Sequence, residues 1–500
     1  MQRNYQEEKM ALILAIDQGT TATKSLIIDN TGSMLSVSSV DHEQHYPNPG
    51  YVEHYAPEIK ESVRQSVINA LALARIKPTD IAGIGITNQR ETLCLFDKNN
   101  EAFLPFIVWQ CRRSSQICER LKKAGLGPKL HELTGLYLDP YFTASKILWV
   151  FEHYPELKTK AINGELLIGT IDSFLCHWFS EGALHITDVT NASRTMLMDL
   201  KTCEWSNECL EIFSIPKNAL PTIHKSIGPY GVTKGLDFLP DGIPIAAIAG
   251  DQHASLFGQA CFEEGMAKAT FGTGCFILQN TGTRLVLSQH GLLSTVAYQI
   301  GPEPVYCLEG SAFIAGAAVQ FLIDTFSFVK TPEELDVLAE SVPDSGGVIF
   351  IPALVGIGAP YWNSDARGAF FGLARGTKRG HIARAVLLGI ALQNTDIFLA
   401  MAKDSLSLND LKIDGGASKS DILVQIQADL LDVRCTRSKS PHQTTLGIAY
   451  MAALATGLFH SLDQIKMLDD AGSTIFFPNL DRAWVNDAIT AYKRALLKLI

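Results

Sequence analysis

Half the chain apart, two segments follow the same plan. The apolar run 12–16 ends in Asp17-Gln18-Gly19-Thr20-Thr21 and leads into a second run, 25–29; the run 266–271 ends in Gly272-Thr273-Gly274 and leads into 275–279. Short apolar runs on either side of a Gly/Thr turn predict a β-hairpin at each place. A chain that builds the same hairpin twice is constrained to two units of similar plan. The turns also carry chemistry. Glycine lets a phosphate approach the backbone with no Cβ in the way, the turn amides point at the anion, and threonine hydroxyls add donors. A carboxylate at the strand end, Asp17, would suit a Mg²⁺ carried with a nucleotide. One Gly/Thr turn is ordinarily only a hairpin, but two at matching places read as a duplicated phosphate clamp.

The 500 residues leave room for two or more domains with large cores, and 47% hydrophobic against 19% charged residues excludes a disordered protein. A net charge of −10 leaves no basic surplus for nucleic acid or an anionic membrane, so any phosphate site is local. The ten cysteines lie singly, with no C-x-x-C, as expected of reduced thiols in a cytoplasm. Residues 1–10 are polar and of mixed charge, and the apolar stretch after them is too short for a signal sequence or a span. A cytoplasmic protein with no stable membrane insertion is expected.

The duplication extends beyond the hairpins. A third strand, 33–40, precedes a helical pattern over 58–76, with apolar residues at Ile59, Val63, Val67, Leu71 and Ala74, and then a strand at 81–87. The run 244–249 ends in Gly250-Asp251-Gln252 and passes straight into a helix start. The second half repeats the order: a small-residue helix over 312–321, an amphipathic helix over 381–403, and a strand at 411–413 ending in Asp414-Gly415-Gly416 before a helix over 421–431. The expectation is a short tail, 1–11, and two similar α/β domains, 12–259 and 260–500, whose clamps face each other across a central cleft. Asp251, at a strand end just before a helix, is placed to take the proton of an acceptor alcohol, late, as the new P–O bond forms. Taken alone it would be a helix N-cap. Gly415-Gly416 offers bare backbone on which a base could pack.

Taken together, the residues resemble the FGGY carbohydrate kinases. The resemblance rests on Asp17-Gln18-Gly19-Thr20-Thr21, 85–92 (with Asn88, Gln89, Arg90 and Glu91), 107–113 around Trp109, Asp139-Pro140-Tyr141-Phe142, 190–196 (with Asn191 and Arg194), Gly250-Asp251-Gln252, 271–275 and 358–362, in that order from Leu12 onward. It implies two ribonuclease-H-like domains of the actin and hexokinase type. It also implies ATP-dependent phosphorylation of glycerol to sn-glycerol 3-phosphate, with Asp251 as general base. By the same resemblance Arg90, Glu91, Trp109, Tyr141, Asp251, Gln252 and Phe276 would bind the polyol. Thr20, Thr21, Ala22 and Lys24 would hold phosphates from the first domain and Thr273 from the second, with Gly316, Gln320, Gly416 and Ser420 near the nucleoside and Asp17 near Mg²⁺. The expected partners are glycerol and ATP, and the expected assembly is a homodimer or homotetramer.

Departures from the family pattern fall on the nucleotide side. Lys24 stands in place of an arginine and loses its planar fork, Ser420 in place of an asparagine, and His442 and Thr445 in place of a glutamate and an alanine. A function of another class, a nucleotide-driven switch without catalysis, would have no use for the polyol set Arg90, Glu91, Asp251 and Gln252.

Overall fold

The strand Leu12–Gln18 is buried along its whole length, as its unbroken apolar run requires of a strand covered on both faces. The computed structural model describes residues 11–363, 365–404 and 407–500; of the expected tail, residues 1–10 lie outside the described residues. The chain forms two compact units. The first comprises the chain up to residue 260 together with 295–305 and 442–468, and the second comprises 261–294, 306–441 and 469–500.

In the first unit a mixed sheet runs in the order Ile227–Val232, Pro244–Gly250, Ile81–Asn88, Leu12–Gln18, Ala22–Ile28, Met34–Asp41. Leu12–Gln18 pairs antiparallel with Ala22–Ile28 and parallel with Ile81–Asn88, and Pro244–Gly250 adds a further parallel pair. The register sets Asp17 between Lys24 and Thr87, and Gly250 beside Asn88. Helix Ala56–Ala74 lays Ile59, Val63, Val67 and Leu71 onto the sheet, the stripe its spacing predicted. Helix Gln443–Ala455 also belongs here. It lies so close to helix Asp251–Gly258 that a Cβ on Gly447 would stand 1.8 Å from the Ala254 carbonyl oxygen, so only glycine permits this approach.

The second unit repeats the plan. Met266–Phe271 pairs antiparallel with Cys275–Asn280 and parallel with Asp410–Asp414, as the first hairpin does with its neighbours. Cys275–Asn280 continues to Val305–Ala312, and Asp410–Asp414 to Cys435–Arg437. The small-residue pattern over 312–321 resolves differently from its prediction: Ala312 ends a strand, and the helix is Gly316–Asp324. A run made mostly of small and apolar residues carries too weak a period to fix where its helix begins. Helix Arg379–Asp404 is long and apolar enough to cross a membrane, but 89% of its most apolar stretch is buried inside the protein, as in a core helix.

Candidate functional site

Strand ends of the first unit gather a set of charged groups. Pro244–Gly250 runs directly into helix Asp251–Gly258, so Asp251 projects from the first helical turn, where negative charge is stabilised by the exposed amides. Its Oδ1 accepts from the Gln252 amide at 2.7 Å and lies 3.1 Å from Arg90 Nε. Arg90 is 3% exposed and Asp251 is half-buried, so the guanidinium is held while the carboxylate faces outward. Glu91 follows in a left-handed conformation, φ 59°, which turns its side chain away from the strand direction. It meets the buried Arg194 in an ion pair, and the Arg194 guanidinium lies 5.0 Å from the Tyr141 ring centre. Tyr141 packs on Trp109 at 5.4 Å between ring centroids, and Trp109 Nε1 donates to Thr20 Oγ1 at 2.9 Å. The structure therefore brings Arg90, Glu91, Trp109, Tyr141, Asp251 and Gln252 into one unit and ties Trp109 to the first clamp. Phe276 is carried by the strand Cys275–Asn280 of the second unit.

Beside this set stands Asp17. Burial pushes its carboxyl up to about 6, opposed by Lys24 and reinforced by the negative charge of Asp251, while a hydrogen bond from Thr445 lowers it. Thr445 Oγ1 donates to Asp17 Oδ2 at 3.0 Å, and Oδ1 accepts no hydrogen bond among the described residues. Two carboxylates close enough to repel, one with an open oxygen, make a donor set that fits a hard divalent cation. Thr445 was legible only as a departure from the family pattern; its partner lies 428 residues away in sequence.

The first clamp is braced from below. Gly19 N donates to the Ala22 carbonyl at 2.9 Å, closing the turn that carries Thr20 and Thr21. The Gly19 carbonyl accepts from Gln18 Nε2 at 2.7 Å and Gln89 Nε2 at 3.1 Å, with His42 Nε2 at 3.2 Å. His54, fully buried, packs edge-on against His42 at 4.7 Å and lies 3.3 Å from Gln89. Burial, with His42 and His45 adding to it, drives its pKa from 6.5 down to about 3. A depressed histidine binds its proton in the unfolded chain first, so native stability is expected to fall as pH drops from 6.5 toward 3. Urea midpoints measured across that range should fall less steeply for His54→Gln; an unchanged slope would remove His54 from the acid sensitivity.

The second clamp is built differently around the same hairpin. Gly272 N donates to the Gly274 carbonyl at 2.9 Å, and the Thr273 carbonyl accepts from the amides of Ala315 at 2.8 Å and Ala317 at 3.0 Å. Gly316 N bonds to the Gly272 carbonyl at 2.9 Å, so the amides of 315–317 at the start of helix Gly316–Asp324 hold the clamp in shape. Asp414 ends its strand and accepts from Thr270 Oγ1 at 2.6 Å. Gly415 then takes φ 93° with its Cα side against Phe271, where a Cβ would meet the Phe271 carbonyl oxygen at 2.6 Å, whereas the corresponding side of Gly416 faces open space. Gln320 Nε2 donates to Asp324 at 2.8 Å on the exposed side of its helix. Ser420 caps helix Asp421–Leu431 by accepting from the Leu423 amide and donates to Asp336 at 2.8 Å.

The N-terminal domain of the FGGY family of carbohydrate kinases matches residues 12–258, and its C-terminal domain matches residues 267–456. The chain belongs to the FGGY family of carbohydrate kinases. Among FGGY relatives, the glycerol kinase of Burkholderia cenocepacia is 45% identical over 489 residues, covering 97% of each chain. The crystal structure of Plasmodium falciparum glycerol kinase with ADP superposes with a TM-score of 0.93 at 34% identity, over 98% of each chain. A gluconate kinase from Lactobacillus acidophilus has the same fold, with a TM-score of 0.89 at 24% identity over 98% of each chain. This FGGY protein is thus an ATP-binding kinase that phosphorylates a small polyol.

Proposed function

We propose that the acceptor is glycerol, phosphorylated by Mg-ATP to sn-glycerol 3-phosphate, with Asp251 as the general base. The observation that carries this reading is the group Arg90, Asp251 and Glu91 beside the tilted Trp109–Tyr141 pair. Adjacent hydroxyls each donate and accept, which carboxylates and a guanidinium satisfy together. Two large rings limit the acceptor to a short carbon chain. Support also comes from the 45% identity to a protein named as a glycerol kinase.

Phosphoryl transfer passes through a loose transition state, so the work is positioning and charge stabilisation. Arg90 holds Asp251 by its Oδ1, leaving the rest of the carboxylate to accept the hydroxyl proton as the P–O bond forms. Thr20, Thr21, Ala22 and Lys24 would receive phosphate oxygens from the first clamp and Thr273 from the second, with Gly316, Gln320, Gly416 and Ser420 on the nucleoside side. Asp17 would hold Mg²⁺, which when bound neutralises charge on the phosphates. In this reading 12–259 carries the acceptor and first clamp, and 260–500 carries most of the nucleotide site. A reducing cytoplasm is the fitting compartment for ten free cysteines, and a homodimer or homotetramer is the assembly proposed.

The test is a coupled ADP-release assay with a polyol panel. Glycerol is expected to exceed xylulose and gluconate in kcat/KM by about tenfold or more, because a site built to pair particular hydroxyls rejects mismatched acceptors. A higher kcat/KM for either sugar-derived acceptor would overturn the glycerol assignment and leave the kinase assignment intact.

A further inference from the structure

The segment 186–196, whose motif the proposed chemistry leaves without a role, converges on the residue just before the base. Strand Ile186–Asp188 ends in Asp188, which caps the short helix Val189–Ala192 by accepting from the amides of Thr190 and Asn191. Thr190 Oγ1 donates to Asp188 Oδ1 at 2.8 Å and accepts from the backbone amide of Gly250, also at 2.8 Å. Asp188 Oδ2 accepts in addition from Ser226 Oγ at 2.8 Å, and Asn191 exchanges hydrogen bonds with Asn88, the strand neighbour of Gly250. Asp188 and Thr190 are both 0% exposed.

Gly250 is itself pinned on its other side. It is the N-cap residue of helix Asp251–Gly258, and a Cβ there would stand 2.7 Å from Arg90 Cγ and Cδ. Arg90 therefore lies against the Gly250 Cα while its Nε reaches Asp251. A backbone amide held by a hydroxyl that is itself oriented by a buried carboxylate cannot shift without losing its hydrogen bond in a medium where water does not replace it. The torsions on either side of Gly250 decide where the Asp251 carboxylate points.

We propose that Thr190, backed by Asp188, is a positioning residue that sets the orientation of Asp251 through the Gly250 amide. The inference rests on the reading of Asp251 as the base. Proton transfer depends on the direction of the Asp251 carboxylate more steeply than acceptor binding does, which Arg90, Glu91 and Gln252 share with it, so the loss falls on turnover more than on KM.

The experiment is a double-mutant cycle of Thr190→Val with Asp251→Asn, read as kcat and glycerol KM, with Thr190→Ser as the conservative variant. Thr190→Val is expected to lower kcat by about 10-fold to 10²-fold, the cost of a small misplacement of a reacting group, with KM changed less than about twofold. Thr190→Ser, which keeps the hydroxyl, should recover most of the turnover. In the Asp251→Asn background the valine substitution should cost nothing further, because a residue acting through the base has nothing left to orient. Parent-level turnover in Thr190→Val, or the same proportional loss in both backgrounds, would overturn the proposal. An Asp251→Asn protein with normal turnover would instead overturn the assignment of the base. If the valine variant does not fold, Thr190→Ala carries the same cycle.

Discussion

Asp251→Asn is expected to lower kcat by about 10²-fold or more, the range of a positioned general base, while glycerol still binds and the fold is unchanged. The asparagine carbonyl can occupy the place of Oδ1, accepting from the Gln252 amide at 2.7 Å and facing Arg90 Nε at 3.1 Å. What is lost is an oxygen able to take a proton. The first helical turn loses one favourable negative charge, a cost of about 0.3–1 kcal/mol, too small to unfold the protein. Turnover is measured in the coupled assay, glycerol binding by calorimetry and folding by thermal melting. Near-parent kcat in a folded variant would exclude Asp251 from the chemistry, and lost glycerol binding would make it a recognition residue.

The two hairpins were legible because their apolar runs end on glycine and threonine in both halves. Met266–Phe271 and helix Asp421–Leu431 coincide with their predicted spans. Helix Ala56–Ala74 was readable from its stripe of five apolar residues, although its ends lie two positions earlier than predicted. The base was legible as a place, a strand end before a helix, but its supports were not. Arg194 lies in the segment 190–196 that carries the family resemblance, yet sequence alone cannot say which carboxylate a buried arginine meets, and Glu91 is 103 residues away. Asp188 and Thr190 carried no signal of their own in the sequence, because the contact of Thr190 with Gly250, 60 residues away, exists only in the folded chain. Segment 442–468 was harder still. Nothing in its sequence says which sheet receives helix Gln443–Ala455, and the two facing glycines, Gly258 and Gly447, become meaningful only at contact.

Arg194→Met is expected to destabilise the protein by about 3–5 kcal/mol, the range found when one partner of a buried ion pair is removed. Arg194 is 0% exposed and Glu91 is 2% exposed, so neither water nor salt can take over when the guanidinium goes. The loss reaches beyond the pair, because the guanidinium also lies 5.0 Å from the Tyr141 ring and 5.1 Å from that of Phe142. Methionine fills much of the space and packs acceptably on aromatic rings, so the loss reports the charge left behind rather than a cavity. A second substitution separates stability from function. Removing both charges, in Glu91→Leu with Arg194→Met, should restore much of the urea midpoint, since an apolar pair of similar volume can replace a buried ion pair at little cost. Glycerol phosphorylation should nevertheless be abolished in the double variant, because the leucine cannot meet a hydroxyl. A single variant as stable as the parent would show that the Glu91 carboxylate is satisfied without Arg194. Recovered activity in the double variant would remove Glu91 from the acceptor site while leaving the pair as a purely structural element.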